Sequence, residues 1–361
     1  MKRELITLCL CAASTLAFAQ QKFQLEGSVP VELNGKAVYL QSAERRGVLI
    51  DSAVVANGKF NIQKELPNAE FARLIAGRKA VMMYLDGTPI SVDMAGDAET
   101  VKGSPVNNAL SDYATQCAPY DKQQKELYAE YNKLRQQGTL TQEQMESIYK
   151  RDDELSAKKL EIAINTIKAN TNNAAAAFLL LSNSYSMDYK QLKELVDLQG
   201  AFRDTPQYKA VANYVSSMEN AQPGQSFTHF DMADANGVMH NTKEFVGTGK
   251  YVLVDFWASW CGPCRAEMPN VKKAYEAYKD KGFDILGISL DSKKDAWTKA
   301  IEQMGMPWHH LSDLKGWQCA GAGLYGVRST PATLLVGPDG KIIAQNLRGD
   351  ALSAKLAELL K

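Results

Sequence analysis

Residues 20–103 alternate apolar and polar positions in short runs. Turn-forming pairs such as Asn34-Gly35 and Asn57-Gly58 separate these runs. The spacing predicts a small, antiparallel, all-β sandwich. The segment contains no histidine and no cysteine, so we predict no catalysis in it. Its seven runs are FQLEGSV, KAVYLQS, LIDSAVV, KFNIQ, ARLIA, AVMMYL and PISVDM.

Residues 104–221 have the longer apolar period that is typical of helices. Thr141 and Gln144 have the spacing of a capping box at the start of one helix, and residues 174–181 are apolar enough for a buried one. Stripes of leucine and tyrosine at this period indicate core packing. We therefore predict a central α-helical region.

From residue 222 onward, strand patterns alternate with helix patterns. The sequence QPGQ at residues 222–225 is typical of a boundary, and the apolar runs YVLVDFW, FDILGISLD and ATLLVG follow it. This alternation predicts an α/β sheet with crossover connections over residues 222–361. A chain of 361 residues is also too long for one ordinary core, so we expect a multidomain protein.

The N-terminal residues 1–19 have the pattern of a secretory signal peptide. Two basic residues precede an apolar stretch that ends in Ala-Phe-Ala at residues 17–19. The stretch is shorter than the roughly 20 residues that a membrane-spanning helix needs. Cys9 and Cys11 each follow leucine, which does not fit a lipoprotein signal. We predict export to the periplasm or cell envelope, with cleavage of this segment.

Charge and cysteine content narrow the functional classes. The chain has 41 basic residues (lysine plus arginine) and 41 acidic residues (aspartate plus glutamate). It therefore lacks the excess of basic residues that is typical of nucleic-acid-binding proteins. Outside the predicted signal peptide the cysteines are Cys117, Cys261, Cys264 and Cys319. So few cysteines in a long exported chain do not make a disulfide scaffold, and thiols in such a chain are more often chemically active than structural. Cys117 and Cys319 are nevertheless expected to be buried apolar residues rather than reactive groups.

The motif WCGPC at residues 260–264 directly follows an apolar run. Two cysteines at this spacing either bind a metal or form a reversible disulfide. Zinc usually needs four ligands, and the remaining candidates, Cys319, His309 and His310, match no zinc spacing. We therefore predict no metal and no cofactor.

Redox chemistry fits the surroundings of this pair. A helix that begins near Gly262 places Cys261 at a helix N-terminus, where unpaired amides stabilise a thiolate. Cys264 lies one turn further on and faces inward. Pro263 suits the first helical turn, and Gly262 allows another backbone to approach. Cys261 would attack a partner disulfide, and Cys264 would resolve the mixed disulfide.

VDFWASWCGPC and YGVRSTPATLLVGPDGKII resemble the two active-site segments of the thioredoxin family. The resemblance implies a thioredoxin fold with Pro331 as a cis-proline. It also implies that the backbone of Thr330 pairs with a substrate strand and that Asp255 is a buried acid beneath Cys264. Burial is expected to raise the pKa of Asp255 and to make it a proton acceptor for Cys264.

Residues 290–313 form an insertion that is similar to the TlpA/ResA-type branch of this family. The insertion has the pattern of a helix and a strand, and Glu267 lies one helical turn after Cys264. The branch comprises exported thiol-disulfide oxidoreductases, some of which reduce apocytochrome c. We predict that Glu267 tunes the proton affinity of Cys264; the alternative is a solvated carboxylate.

Peroxiredoxins share this fold and the insertion, but their reactive cysteine follows the pattern P-x-x-x-T/S-x-x-C. Val254 and Ala258 occupy the corresponding positions before Cys261. Peroxidase activity is therefore not predicted. We expect Trp260 to border a docking surface and Trp257 to pack in the interior.

Together these patterns predict an exported thiol-disulfide oxidoreductase that reduces or exchanges disulfides in envelope proteins. Gly-Pro between the cysteines is thioredoxin's own dipeptide, and thioredoxin has a reduction potential of about −270 mV. That favours a reductase, which would need a membrane thiol electron donor. A disulfide oxidase or isomerase is one alternative. An assembly or binding protein with an accessory redox domain is another.

Overall fold

The computed structural model describes residues 21–96 and 99–361. The predicted signal peptide at residues 1–19 lies outside the described residues. The chain divides into two compact units, one with residues up to 183 plus 198–205, the other with residues 184–197 plus 206–361. This division falls inside the predicted helical region. The boundaries near residues 103 and 221 stay predictions.

The first unit begins with a β-sandwich of two four-stranded sheets. Its strands are β1 (Gln21–Ser28), β2 (Ala37–Ser42), β3 (Leu49–Val54), β4 (Lys59–Leu66), β5 (Glu70–Ala76), β6 (Lys79–Leu85), β7 (Ile90–Asp93) and β8 (Thr100–Lys102). The sheet orders are β4-β1-β7-β8 and β3-β2-β5-β6. Alternating side chains such as Phe23, Leu40 and Leu74 form the buried core of the sandwich.

The predicted sandwich is confirmed, but two details of the prediction were wrong. The prediction of seven strands omitted β8. The prediction of purely antiparallel pairing was also wrong, because β1 and β7 pair in parallel. β8 has only three residues, too few to show an alternating pattern. The pairing of β1 with β7 joins strands far apart in sequence, which local turn signals cannot predict.

The first unit also contains three α-helices: α1 (Pro105–Gln136), α2 (Gln142–Ala169) and α3 (Ala174–Asn183). The capping box predicted at the start of α2 is confirmed. The Thr141 hydroxyl accepts the N–H of Gln144 at 3.2 Å, and the Gln144 side chain accepts the N–H of Thr141 at 2.9 Å. α3 is the predicted apolar helix and is largely buried.

The second unit contains two helices followed by an α/β region. Its elements are α4 (Tyr189–Val196), α5 (Pro206–Glu219), β9 (Asp231–Asp234), β10 (Met239–Asn241), β11 (Tyr251–Trp257), α6 (Gly262–Tyr278), β12 (Phe283–Ser289), α7 (Lys294–Met304), β13 (His309–Ser312), α8 (Ala320–Leu324), β14 (Ala332–Val336), β15 (Ile342–Gln345) and α9 (Asp350–Leu359). The seven-stranded sheet has the order β10-β9-β13-β12-β11-β14-β15.

The central strand β11 pairs in parallel with β12 and antiparallel with β14. Almost all of β11 is buried, which fits a sequence that is apolar apart from Asp255. α7 and β13 are the helix and strand of the predicted insertion. The predicted α/β thioredoxin-like fold with this insertion is therefore confirmed.

Residues 222–225 do not form a free linker in this unit. Gly224 donates its N–H to the carbonyl of Ile342 at 2.8 Å, and Ile342 donates to the carbonyl of Gln225 at 2.9 Å. Gly224 and Gln225 are therefore held against the start of β15 by backbone hydrogen bonds. Among the described residues, no helix combines the length and hydropathy needed to cross a membrane.

Candidate active site

Cys261 and Cys264 form a disulfide at the start of α6. Cys261 is the N-cap of this helix, as predicted, and its Sγ accepts the N–H of Cys264 at 3.1 Å. Pro263 lies in the first turn, where a missing N–H leaves no bond unmade. Both cysteines are buried, with exposed fractions of 4% and 2%. The start of α6 therefore supplies the amide environment that favours a thiolate.

The Thr330–Pro331 peptide bond is cis, as the resemblance implied. The carbonyl oxygen of Thr330 lies 3.5 Å from Sγ of Cys261. The loop before β14 therefore lies directly against the disulfide, although it is far from it in sequence. Pairing of Thr330 with a substrate strand stays a prediction.

Asp255 lies on β11 and is 3% exposed. Its pKa is raised to about 7, chiefly because burial disfavours the charged carboxylate. The negative charge of Glu267 adds to this rise, and the positive charge of Arg348 opposes it. The predicted burial and direction of the pKa are confirmed, and a group with this pKa can accept or release a proton near neutral pH.

Glu267 contacts the segment that precedes α9. One carboxylate oxygen accepts the N–H of Gly349 at 2.6 Å, and the other accepts the side-chain amide of Asn270 at 3.1 Å. The neighbouring Arg348 donates from its guanidinium to the carbonyl of Pro331. Sequence reasoning missed Arg348, because a single arginine before the last helix belongs to no motif.

Asp291 is a second residue that the sequence analysis missed. It is buried directly after β12, and one of its oxygens accepts the Ser259 hydroxyl at 2.5 Å. The other oxygen accepts the Ser259 N–H at 2.9 Å and the Ser289 hydroxyl at 2.8 Å. Asp291 thereby holds the turn that leads into Cys261. Its place at the carboxyl end of a parallel strand is the signal that could have revealed it.

Two exposed tryptophans lie at the edge of the site. Trp260 is 54% exposed and Trp317 is 51% exposed, with ring centroids 5.8 Å apart. Trp257 is fully buried, as expected. Gly262 and Pro263 are exposed beside Trp260. Substrate contact by Trp260, Gly262 and Pro263 stays a prediction.

The two remaining cysteines of the described residues and His310 are buried. Cys117 and Cys319 are buried free thiols, and burial raises the pKa of each. His310 is buried next to Gly287, in the space that a side chain on Gly287 would occupy. Burial lowers the pKa of His310 to about 3.

Residues 223–345 match the model of the AhpC/TSA family, and residues 23–110 match a domain of unknown function, DUF4369. The thiol-disulfide oxidoreductase ResA of Bacillus cereus (strain ATCC 10987 / NRS 248) is 32% identical over 148 residues, which are 41% of this chain and 82% of that protein. The chain belongs to the ResA family of thiol-disulfide oxidoreductases. The predicted enzyme class is therefore confirmed.

Another ResA, from Halalkalibacterium halodurans, is 27% identical over 43% of this chain and 86% of its own length. The crystal structure of the thioredoxin domain of a Bacteroides vulgatus thiol-disulfide oxidoreductase is 36% identical. It covers 39% of this chain and 99% of its own, with a TM-score of 0.36.

Proposed function

We propose that this ResA-family protein is an exported disulfide reductase for envelope proteins. The observation that supports the proposal most directly is the Cys261–Cys264 disulfide at the N-terminus of α6, with the carbonyl of Thr330 3.5 Å from Sγ of Cys261. In the proposed reaction, Cys261 supplies the nucleophilic sulfur and the backbone of Thr330 pairs with an extended substrate beside it.

Reduction would proceed in two exchange steps. The Cys261 thiolate attacks one sulfur of the substrate disulfide, which forms a mixed disulfide and releases the other substrate sulfur as a thiolate. Cys264 then loses its proton to Asp255 and attacks Sγ of Cys261. The second substrate sulfur leaves and takes up a proton, so the substrate gains two electrons and Cys261–Cys264 becomes oxidised.

The destination and partners of the protein are part of the same proposal. The signal-peptide pattern of residues 1–19 supports export to the periplasm or cell envelope. A reductase in an oxidising compartment requires a supply of electrons, for which we propose a membrane thiol donor. The ResA relationship makes apocytochrome c one candidate substrate among disulfide-containing envelope proteins.

Peroxidase activity does not fit the residues around Cys261, although the AhpC/TSA model matches this part of the chain. Val254 and Ala258 are fully buried aliphatic residues, and neither carries a hydroxyl group that would bind a peroxide. The proposal is therefore restricted to disulfide exchange.

Substitution of the two cysteines tests the chemistry. Cys261→Ser should abolish exchange with protein disulfides, and Cys264→Ser should accumulate mixed disulfides that non-reducing gels and mass spectrometry detect. Cys319→Ser changes a buried thiol outside the pair and is the matched control. Persistent turnover by Cys261→Ser contradicts the proposal.

The reduction potential of the Cys261–Cys264 pair tests the direction of electron flow. Equilibration of the purified protein in dithiol buffers, followed by thiol counting, gives this value. A potential near or below about −270 mV supports a reductase. A potential above about −180 mV, in the range of disulfide isomerases, supports the alternative of an oxidase or isomerase.

A further inference from the structure

Helix α5 packs against the segment that leads into the cis-proline. The side-chain amide of Asn220, one residue past α5, donates to the carbonyl of Leu324 at 3.0 Å. Gly326 has a φ of +64°, and a Cβ there would lie 3.1 Å from both the backbone nitrogen and Cγ of Met218. The backbone before the cis-proline therefore lies in close contact with this helix, and all of these residues belong to the second unit.

Arg328 forms the next contact along the same segment, two residues before Thr330. Its guanidinium carbon lies 3.3 Å from the ring centroid of Tyr214 on α5, and 5.1 Å from the ring centroid of Tyr185. A guanidinium over the face of a tyrosine is attracted by the ring and keeps its charge partly solvated. Arg328 is half-buried, which fits this arrangement.

The opposite side of the cis-proline is also held. The guanidinium of Arg348 donates to the carbonyl of Pro331, as described above. Thr330 therefore lies between two fixed points, Arg328 on the α5 side and Pro331 on the α9 side. The direction of its backbone N–H and carbonyl depends on both.

We propose that Tyr214, Tyr185 and Arg328 are positioning residues that fix the backbone of Thr330 for an extended polypeptide substrate. The inference rests on the proposed function, in which that backbone pairs with a substrate strand. Because pairing needs donor and acceptor in one orientation, a loop fixed in advance binds a peptide with less loss of conformational freedom.

This loop lines part of a cavity of about 150 Å³. Among the residues that line the cavity are Tyr214, Met218, Phe256, Arg328 and Ser329. Loss of the Tyr214 ring would enlarge this space on the side of Arg328. The loop would then relax into the cavity, while the disulfide at the start of α6 would keep its surroundings.

The test compares an extended peptide that contains a disulfide with a small aromatic disulfide that forms no strand. Tyr214→Leu and Arg328→Gln should each raise KM for the peptide about three- to tenfold, the factor expected for loss of a cation–π contact. The rate with the small disulfide and the reduction potential should not change. Tyr214→Phe keeps the ring face and should behave as the unsubstituted protein. The loss in the double variant should be smaller than the sum of the two single losses, because both substitutions remove the contact between Arg328 and Tyr214.

Lys281→Gln is the matched control, since Lys281 lies 5.3 Å from the ring centroid of Tyr278 in the same unit. Arg328→Gln keeps the proposal testable if Tyr214→Leu does not fold. An unchanged KM for the peptide in Arg328→Gln would overturn the proposal, and so would an equal loss with both substrates. Absence of turnover of either disulfide by the unsubstituted protein would instead refute the proposed function.

Discussion

At the scale of single residues, the second exchange step of the proposed reaction requires Cys264 to give its proton to Asp255. Asp255 can accept that proton only when it is ionised, and its pKa is raised to about 7 by burial. The ionised fraction of Asp255 therefore grows as the pH rises through about 7. Resolution of the mixed disulfide should accelerate over the same range.

Replacement of Asp255 by asparagine should remove this acceleration. We expect the resolution step of Asp255→Asn to be slower by about 100-fold at pH 8, the contribution typical of a positioned base, and to lack the inflection near pH 7. Stopped-flow measurement of mixed-disulfide resolution from pH 5 to 9 gives the profile. Asp284→Asn is the control, because Asp284 lies on the neighbouring strand β12 and its carboxylate is paired with Lys250. An unchanged inflection in Asp255→Asn would assign it to another group.

Replacement of Glu267 by glutamine separates the two interpretations of this carboxylate. The negative charge of Glu267 helps to raise the pKa of Asp255. Glu267→Gln should therefore lower that pKa and move the inflection of the resolution rate to lower pH. Glu276→Gln changes a carboxylate on the same helix that is paired with Lys279, and it should leave the inflection in place. The same inflection in Glu267→Gln and the unsubstituted protein would limit the role of Glu267 to its hydrogen bonds with Gly349 and Asn270.

The residues that the sequence could reveal are those inside motifs. Cys261, Cys264 and Pro331 lie in segments whose local pattern requires a helix start or a cis-proline, so the structure places them as predicted. Arg348 and Asp291 act through contacts that the fold creates between distant segments. No local pattern records such contacts, which explains why both were missed.

At the scale of elements, the turn between β11 and α6 depends on a side chain from another strand. Leu290 donates its N–H to the carbonyl of Trp257 at 2.8 Å, which joins the end of β12 to the end of β11. Asp291 adds its hydrogen bonds to Ser259 at the next position. Trp260 and Cys261 are therefore held in place by β12 as well as by their own strand and helix.

Asp291→Asn tests this arrangement. An asparagine presents only one acceptor oxygen where Asp291 presents two, so a buried donor loses its partner. The free energy of unfolding should fall by about 1–3 kcal/mol. Urea unfolding of the oxidised protein measures the change, and Asp295→Asn, at the exposed start of α7, is the control. Equal stability of Asp291→Asn and the unsubstituted protein would show that the turn is held by its own backbone.

At the scale of the whole molecule, the second unit begins before the thioredoxin-like pattern does. Residues 184–197 and 206–221 belong to it, and α5 packs on the segment before the cis-proline. The change of sequence pattern near residue 222 marks where strands begin to alternate with helices. This change of pattern does not reveal which helices pack against the strands, because the apolar face of a helix does not specify its partner.

Two fragments test whether these helices stabilise the redox region. A fragment of residues 222–361 lacks α4 and α5, and it also lacks the contacts of Asn220 with Leu324 and of Tyr214 with Arg328. A fragment of residues 184–361 keeps them. The shorter fragment should have a Tm lower by about 5–10 °C, which corresponds to a loss of roughly 2 kcal/mol at this size. Thermal unfolding followed by circular dichroism measures both. Equal Tm values would show that α5 contributes no stability to this region.

The burial of Asp255 and His310 in one unit has a consequence for how the protein tolerates acid. Between about pH 4 and 6.5, the native protein holds a neutral carboxyl and a neutral imidazole, whereas the unfolded chain holds a carboxylate and an imidazolium. The contribution of Asp255 to the free energy of unfolding falls as the pH rises through this range, and that of His310 rises. Both states bind one proton between the two groups, so the two slopes cancel.

In Asp255→Asn, the pH dependence that His310 gives to the free energy of unfolding would no longer be cancelled. The free energy of unfolding should then gain a dependence on pH of up to about 1.4 kcal/mol per pH unit between pH 4 and 6.5, rising with pH relative to the unsubstituted protein. Urea unfolding of the two oxidised proteins over this range measures the difference, and parallel curves would contradict it. Unfolding therefore takes up no net proton at Asp255 and His310. Together the two groups leave the stability of the protein insensitive to acid over this range.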